Sequence, residues 1–174
     1  MEWVHRYRGA YAFVDGQPCR IMDVVVAGPG KSGHMAAVCR LRNLMTDACS
    51  ENVCHHMYQL FTPEKRVYRL KGHTGDPCML HLEDDLGSLD MAVGDSRVNQ
   101  WVWEALQGKL DRQPDEQALD TQDPDEQDPD DQATVTLLVM KNPGPREGEQ
   151  RLFYRITDAY VVTQGRKTLI NVAV

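Results

Sequence analysis

The first third of the chain is a series of short apolar segments broken by turn residues. Residues 10–14, 19–26, 36–44 and 52–60 are apolar-rich runs separated by turn residues, with glycines in the first two gaps, the pattern of short strands in a small barrel. Asp15-Gly16 separates the first two runs and signals a hairpin, because a tight two-residue turn of matching twist needs φ > 0 at both central positions. Leu60-Phe61-Thr62-Pro63-Glu64 reads as a connector, since Pro63 disfavours continuous regular structure. A second strand series begins at 66–70 and includes 78–84 and 133–140. One helix is predicted over 96–107. Asp95 or Ser96 caps it, Val98, Trp101, Val102, Ala105 and Leu106 form its apolar stripe, and Gly108 stops it. The expected fold class is all-β: two small barrels over 1–63 and 64–174, the second with one helix. A helix between strands, plugging one end of a five-stranded barrel, suits an oligonucleotide-binding (OB) fold. The extension 141–174 predicts further strands at 152–156, 159–163 and 168–172, with no function attached.

Composition narrows the setting. With 174 residues and 41% hydrophobic content, the chain can bury modest cores. No stretch is long enough to span a membrane. Met1-Glu2-Trp3-Val4-His5-Arg6 lacks the apolar core of a signal peptide, so the cytoplasm is the expected location. The cysteines at 19, 39, 49, 54 and 78 are odd in number and form no CxxC pair, which fits buried thiols better than a disulfide framework.

Charge is unevenly spread. The net −7 divides into +4 over residues 1–72 and −11 over the remainder, so a phosphate-facing surface belongs to the first part. Residues 111–132 hold ten acids against Arg112, with three prolines and a near-perfect pentad repeat. That composition predicts an acidic disordered insertion, tolerated because long surface loops add little closure entropy.

The candidate chemistry sits in Gly28-Pro29-Gly30-Lys31-Ser32-Gly33-His34, between two strand-like runs. Glycines and a proline predict a tight exposed turn with Lys31 near its tip. A phosphate-binding loop is one reading of Gly30-Lys31-Ser32. That motif needs a further glycine five positions before Gly30, where Val25 stands, and a helix to follow. The other reading comes from the surroundings. Gly16-Gln17-Pro18-Cys19-Arg20-Ile21, followed by Gly30-Lys31-Ser32-Gly33-His34, resembles the translation initiation factor 5A family, in which a Gly-Arg-Pro-Cys-Lys strand leads into a Thr-Gly-Lys-His-Gly-His-Ala loop. Leu41-Arg42-Asn43-Leu44-Met45-Thr46 is similar to the bacterial relative, elongation factor P. The runs 78–84 and 133–140 resemble strands of the family's second domain, so the likeness covers about residues 8–140. The loop differs from the family's at Ala27, Gly28 and Pro29, at Ser32, and at Met35 and Ala36.

The resemblance implies an SH3-like (KOW-type) first barrel and an OB-fold second domain. It implies a non-enzymatic translation factor that binds the ribosome near the exit and peptidyl sites. There Lys31, converted to hypusine, positions peptidyl-tRNA and promotes peptide bond formation. Gly30, Gly33 and His34 support the loop. The implied partners are the ribosome, peptidyl-tRNA and rRNA, with deoxyhypusine synthase and the hydroxylase acting on Lys31. No cofactor is implied beyond the spermidine-derived modification. An unmodified RNA- or ribosome-binding module of the same fold, and a phosphate-loop enzyme, stay open as alternatives.

Arg20, Arg40 and Arg42 are the candidate RNA contacts. Arg40 and Arg42 are two apart and share a strand face. Cys49, Cys54, His55 and His56 make a poor metal set, because adjacent strand residues point opposite ways and no second pair follows at zinc spacing. No metal is expected.

Overall fold

Asp15 and Gly16 take φ values of 50° and 73°, the left-handed pair a tight hairpin requires. They turn β1 (Tyr11–Val14) into β2 (Gln17–Ala27). The computed structural model describes residues 7–27, 36–53, 58–75, 78–94, 96–110, 133–143, 150–163 and 166–171. The chain forms two compact units. The first gathers Met1–Lys65, Ser96–Val98 and Leu138–Arg155; the second gathers Arg66–Asp95, Asn99–Leu137 and Ile156–Val174.

In the first unit β3 (Ala36–Asn43), β4 (Cys49–Val53) and β5 (Gln59–Phe61) complete a five-stranded sheet of order β4-β3-β2-β1-β5. Alternation sends Ala12, Cys19, Ile21, Ala37, Cys39 and Leu41 to one face, where they form a buried cluster with Tyr7. Phe13 points the other way, into a second cluster with Leu44, Met45, Met140 and Phe153. The expectation of a single strand over 52–60 is corrected. β4 and β5 lie at opposite edges of the sheet, and one straight segment cannot pair at both.

The other sheet has order β11-β10-β9-β6-β7-β8. Its strands are β6 (Glu64–Thr74), β7 (Met79–Asp84), β8 (Gly87–Ala92), β9 (Ala133–Asn142), β10 (Arg151–Thr163) and β11 (Arg166–Asn171). The β7–β8 turn is closed by Asp84 Oδ1, which accepts from the Leu86 and Gly87 amides at 2.9 and 3.0 Å. The runs expected at 152–156 and 159–163 merge into one strand, β10. The intervening Thr157 is buried and its hydroxyl donates to the Thr136 carbonyl at 3.3 Å, so the ladder has no reason to break.

The helix between the strands, α1 (Arg97–Leu110), differs from expectation in two ways. It continues through Gly108 to Leu110. Its buried stripe is Val98, Asn99, Val102, Trp103 and Leu106, whereas Trp101 is 56% exposed. The all-β architecture with two antiparallel sheets and one helix is otherwise as expected. The acidic insertion 111–132, between α1 and β9, lies outside the described residues. No helix among the described residues is long and apolar enough to cross a membrane.

Candidate nucleic-acid interface

The β2–β3 hairpin carries the sequence-predicted site. Val24, Val25 and Val26 give β2 the branched side chains that suit a pleated surface. They pair with Cys39, Val38 and Ala37, and the ladder continues to Ala27 opposite Ala36. Residues 28–35 join that last pair. Gly30, Lys31, Gly33 and His34 fall in this connection, outside the described residues. A register shift between Ile21 and Asp23 marks a bulge. Asp23 Oδ1 accepts from the Val24 amide at 2.9 Å and faces Arg8 Nε at 3.4 Å.

Below the bulge, one row crosses four strands of the sheet. Phe61 on β5 is opposite Tyr11 on β1, Tyr11 is opposite Arg20 on β2, and Arg20 is opposite Arg42 on β3. Directly opposed residues share a face, so two aromatic rings and two guanidinium groups stand side by side. Arg40 lies two positions along β3, on the same side.

The three arginines differ in what they hold. Arg40 Nη2 is 3.2 Å from Glu51 on β4, its cross-strand partner. Both side chains are well exposed, so water screens the pair and it adds little stability. Arg42 Nε donates to Asp47 Oδ1 at 2.9 Å, and its side chain is mostly covered. Arg20 faces no carboxylate at ion-pair distance among the described residues. Its guanidinium lies 5.8 Å from the centroid of the Tyr11 ring, a cation–π contact.

Asp47 belongs to a further cluster that the sequence did not announce. Its Oδ1 also accepts from Arg155 Nη1 at 3.0 Å. Arg155 is 1% exposed, and the same nitrogen donates to the Leu44 carbonyl at 2.6 Å. Its Nε and Nη2 are buried and meet no hydrogen-bond partner among the described residues. The β3–β4 turn that presents these acceptors is self-braced. Asn43 Oδ1 accepts from the Met45 and Thr46 amides at 2.8 and 3.1 Å, and Asp47 adopts φ 61°. Arg155 thus fixes the turn that aims Asp47 at Arg42. Neither it nor the aromatic end of the row was singled out in the sequence. Arg155 is remote along the chain, and Tyr11 and Phe61 looked like ordinary strand residues.

Strands β6 and β7 and the turn after β7 carry charges of a different kind. Lys71 Nζ lies 2.9 Å from Glu83, Arg69 Nη2 3.6 Å from Asp85 and Arg66 Nη1 3.9 Å from Asp84. These pairs cancel one another's charge. Among the described residues, no group of three or more His, Cys, Asp or Glu side chains could hold a metal ion.

No protein-family model and no curated protein sequence matches the chain. Solved structures do. A translation initiation factor eIF-5A family protein from Naegleria fowleri superposes with a TM-score of 0.52 at 14% identity, over 94% of this chain and 89% of that one. A eukaryotic translation initiation factor 5A from Methanococcus jannaschii gives a TM-score of 0.41 at 15% identity, over 88% and 92%. The chain therefore has the two-domain fold seen in the Naegleria protein.

Proposed function

We propose that this protein is a divergent translation factor of the initiation factor 5A type. It binds the ribosome near the exit and peptidyl sites and presents Lys31 to the acceptor end of peptidyl-tRNA. The observation that carries the reading is a fold likeness spanning nearly the whole chain, combined with the place of Lys31 in the sequence between β2 and β3, the strands that carry Arg20, Arg40 and Arg42. In this reading Lys31 Nζ receives the aminobutyl group of spermidine from deoxyhypusine synthase, and the hydroxylase completes hypusine. The longer side chain adds reach and a second positive charge. The protein performs no covalent chemistry. It holds a poorly placed tRNA end in a reactive pose, and orientation alone can remove a large share of a barrier. The factor acts in the cytoplasm, most strongly where the nascent chain is stiff, as at proline runs.

A second reading keeps the ribosome or RNA as partner and leaves Lys31 bare. The loop residues Pro29, Ser32 and Met35 favour it, because the modifying enzyme reads this loop. The phosphate-loop alternative loses its frame: the element after residue 35 is strand β3, antiparallel to β2, where that motif needs a helix N-terminus.

Peptide mass spectrometry on protein from its native source, combined with co-sedimentation on ribosomes, tests the proposal. Modified Lys31 and a ribosome-bound fraction are expected. Bare Lys31 with ribosome binding leaves the second reading, and no ribosome binding overturns both.

A further inference from the structure

The aromatic end of the cross-strand row opens into a groove of about 320 Å³, lined by Ala10, Tyr11, Leu60, Phe61, Thr62 and Pro63. Its two rings are braced. Phe61 stacks on Phe13 with centroids 4.3 Å apart and planes 27° apart, and Tyr11 leans on Phe61 at 5.9 Å. Phe13 in turn touches Phe153 at 6.0 Å within the second buried cluster of this unit. The rings are therefore held in place before any ligand arrives, which lowers the ordering cost of binding.

Arg20, opposite Tyr11 on the neighbouring strand, places its guanidinium 5.8 Å from the centroid of this groove ring. It is the one arginine of the row and its neighbour Arg40 that faces no carboxylate among the described residues, since Arg40 and Arg42 are engaged by Glu51 and Asp47. An apolar groove with aromatic walls, beside a guanidinium that meets no carboxylate among the described residues, is complementary to a planar ring linked to a single negative charge. A nucleotide of single-stranded RNA has that form: its base lies against the rings and its phosphate meets the guanidinium. Duplex RNA does not fit, because its bases are stacked away from such a groove. An apolar peptide fills the groove but leaves Arg20 unused.

We propose that the Tyr11–Phe61 groove binds one unpaired base of single-stranded RNA, with Arg20 on the adjoining phosphate. This rests on the ribosome- and RNA-binding reading and assigns it a contact separate from Lys31.

Fluorescence anisotropy with a short labelled uridine-only RNA and the full-length recombinant chain, in which Lys31 is unmodified, tests it. Arg20→Gln, Thr62→Glu and Tyr11→Leu are each expected to weaken binding roughly tenfold. Lys141→Gln removes an exposed cation of the same unit, paired with Glu64 at 3.5 Å, and is expected to change binding less than about twofold. Thr62→Glu alters an exposed position and Arg20→Gln a partly exposed one, so the test stands even if Tyr11→Leu fails to fold. Three results overturn the proposal: no binding by the unmutated chain, unchanged binding in Thr62→Glu, or equal losses in Arg20→Gln and Lys141→Gln. Tight capture of a labelled acidic proline-rich peptide that the RNA cannot displace overturns it as well. Because no hypusine is present in this experiment, its outcome is independent of the Lys31 peptide mass.

Discussion

Asp47 and Arg155 show how unequal the two ends of an ion pair can be. Arg155 is fully buried, whereas Asp47 keeps 35% of its side chain exposed and has Arg42 as a second partner. Asp47→Asn removes the only carboxylate that faces the Arg155 guanidinium among the described residues. It is expected to cost about 3 kcal/mol in urea unfolding, the scale for breaking a buried pair. Arg155→Met removes the buried charge together with its two unpaired nitrogens and leaves only the Leu44 carbonyl unmet, at about 1–2 kcal/mol. A larger loss for Arg155→Met than for Asp47→Asn would contradict this account of the cluster. The cysteines separate just as clearly. Burial, with a smaller push from the Asp15 carboxylate, raises the Cys19 thiol from 9.0 to about 11. The thiol is neutral in both folded and unfolded chains at pH 7. The unfolded thiol ionises first, so its contribution to stability is intact below pH 9.0 and is lost as pH rises toward 11. A Cys19→Ala chain should show a shallower decline of the urea midpoint across that window. In native protein at pH 8, iodoacetamide should label the exposed Cys49 and spare the buried Cys19. Peptide mapping reads the difference.

At the scale of the element, short hydrophobic runs bounded by turn residues were legible. Asp15-Gly16 marked its hairpin, and β2 and β3 begin and end within two residues of the runs that predict them. The helix was legible as a helix, but its inward face was not. Val98, Trp101, Val102 and Ala105 satisfy helical spacing, and so do Val98, Asn99, Val102 and Trp103. Only tertiary partners break the tie: Trp103 lies 4.8 Å from the His73 ring, and Asn99 Oδ1 accepts from the buried Ile156 amide at 2.8 Å. A polar residue inside the stripe is invisible to a hydrophobic pattern. Trp103→Ala is expected to cost about 3–5 kcal/mol, and Trp101→Ala less than about 0.5 kcal/mol. Comparable urea midpoints for the two variants would contradict the facing seen here. The partition of β4 and β5 was illegible for a related reason, because nothing local to residues 52–60 says that the two ends pair at opposite edges of one sheet.

For the whole molecule, net charge conceals the surface that matters. The chain is acidic at −7, yet ten of its acids lie in residues 111–132 alone. Replacing that insertion with a neutral glycine-serine segment of equal length takes the net charge from −7 to +2. The expected result is RNA binding roughly fivefold tighter at low salt, converging with the unmodified chain as salt screens the field. A salt titration of anisotropy reads it, and weaker binding after the replacement would assign the insertion a direct role. The architecture was legible at this scale through a family resemblance carried by one strand and one loop, and the fold likeness extends over 94% of the chain. The arginine-aromatic row was only half legible. Spacing put Arg40 and Arg42 on one face, but cross-strand register was needed to bring Arg20, Tyr11 and Phe61 into line with them. The central claim is that Lys31 acts on the ribosome, and the direct measurement is the rate of peptide synthesis through a proline run in a reconstituted translation system. Protein from its native source should relieve the stall, and Lys31→Ala protein should leave it in place while still binding the ribosome. Equal relief by the two proteins would contradict the account.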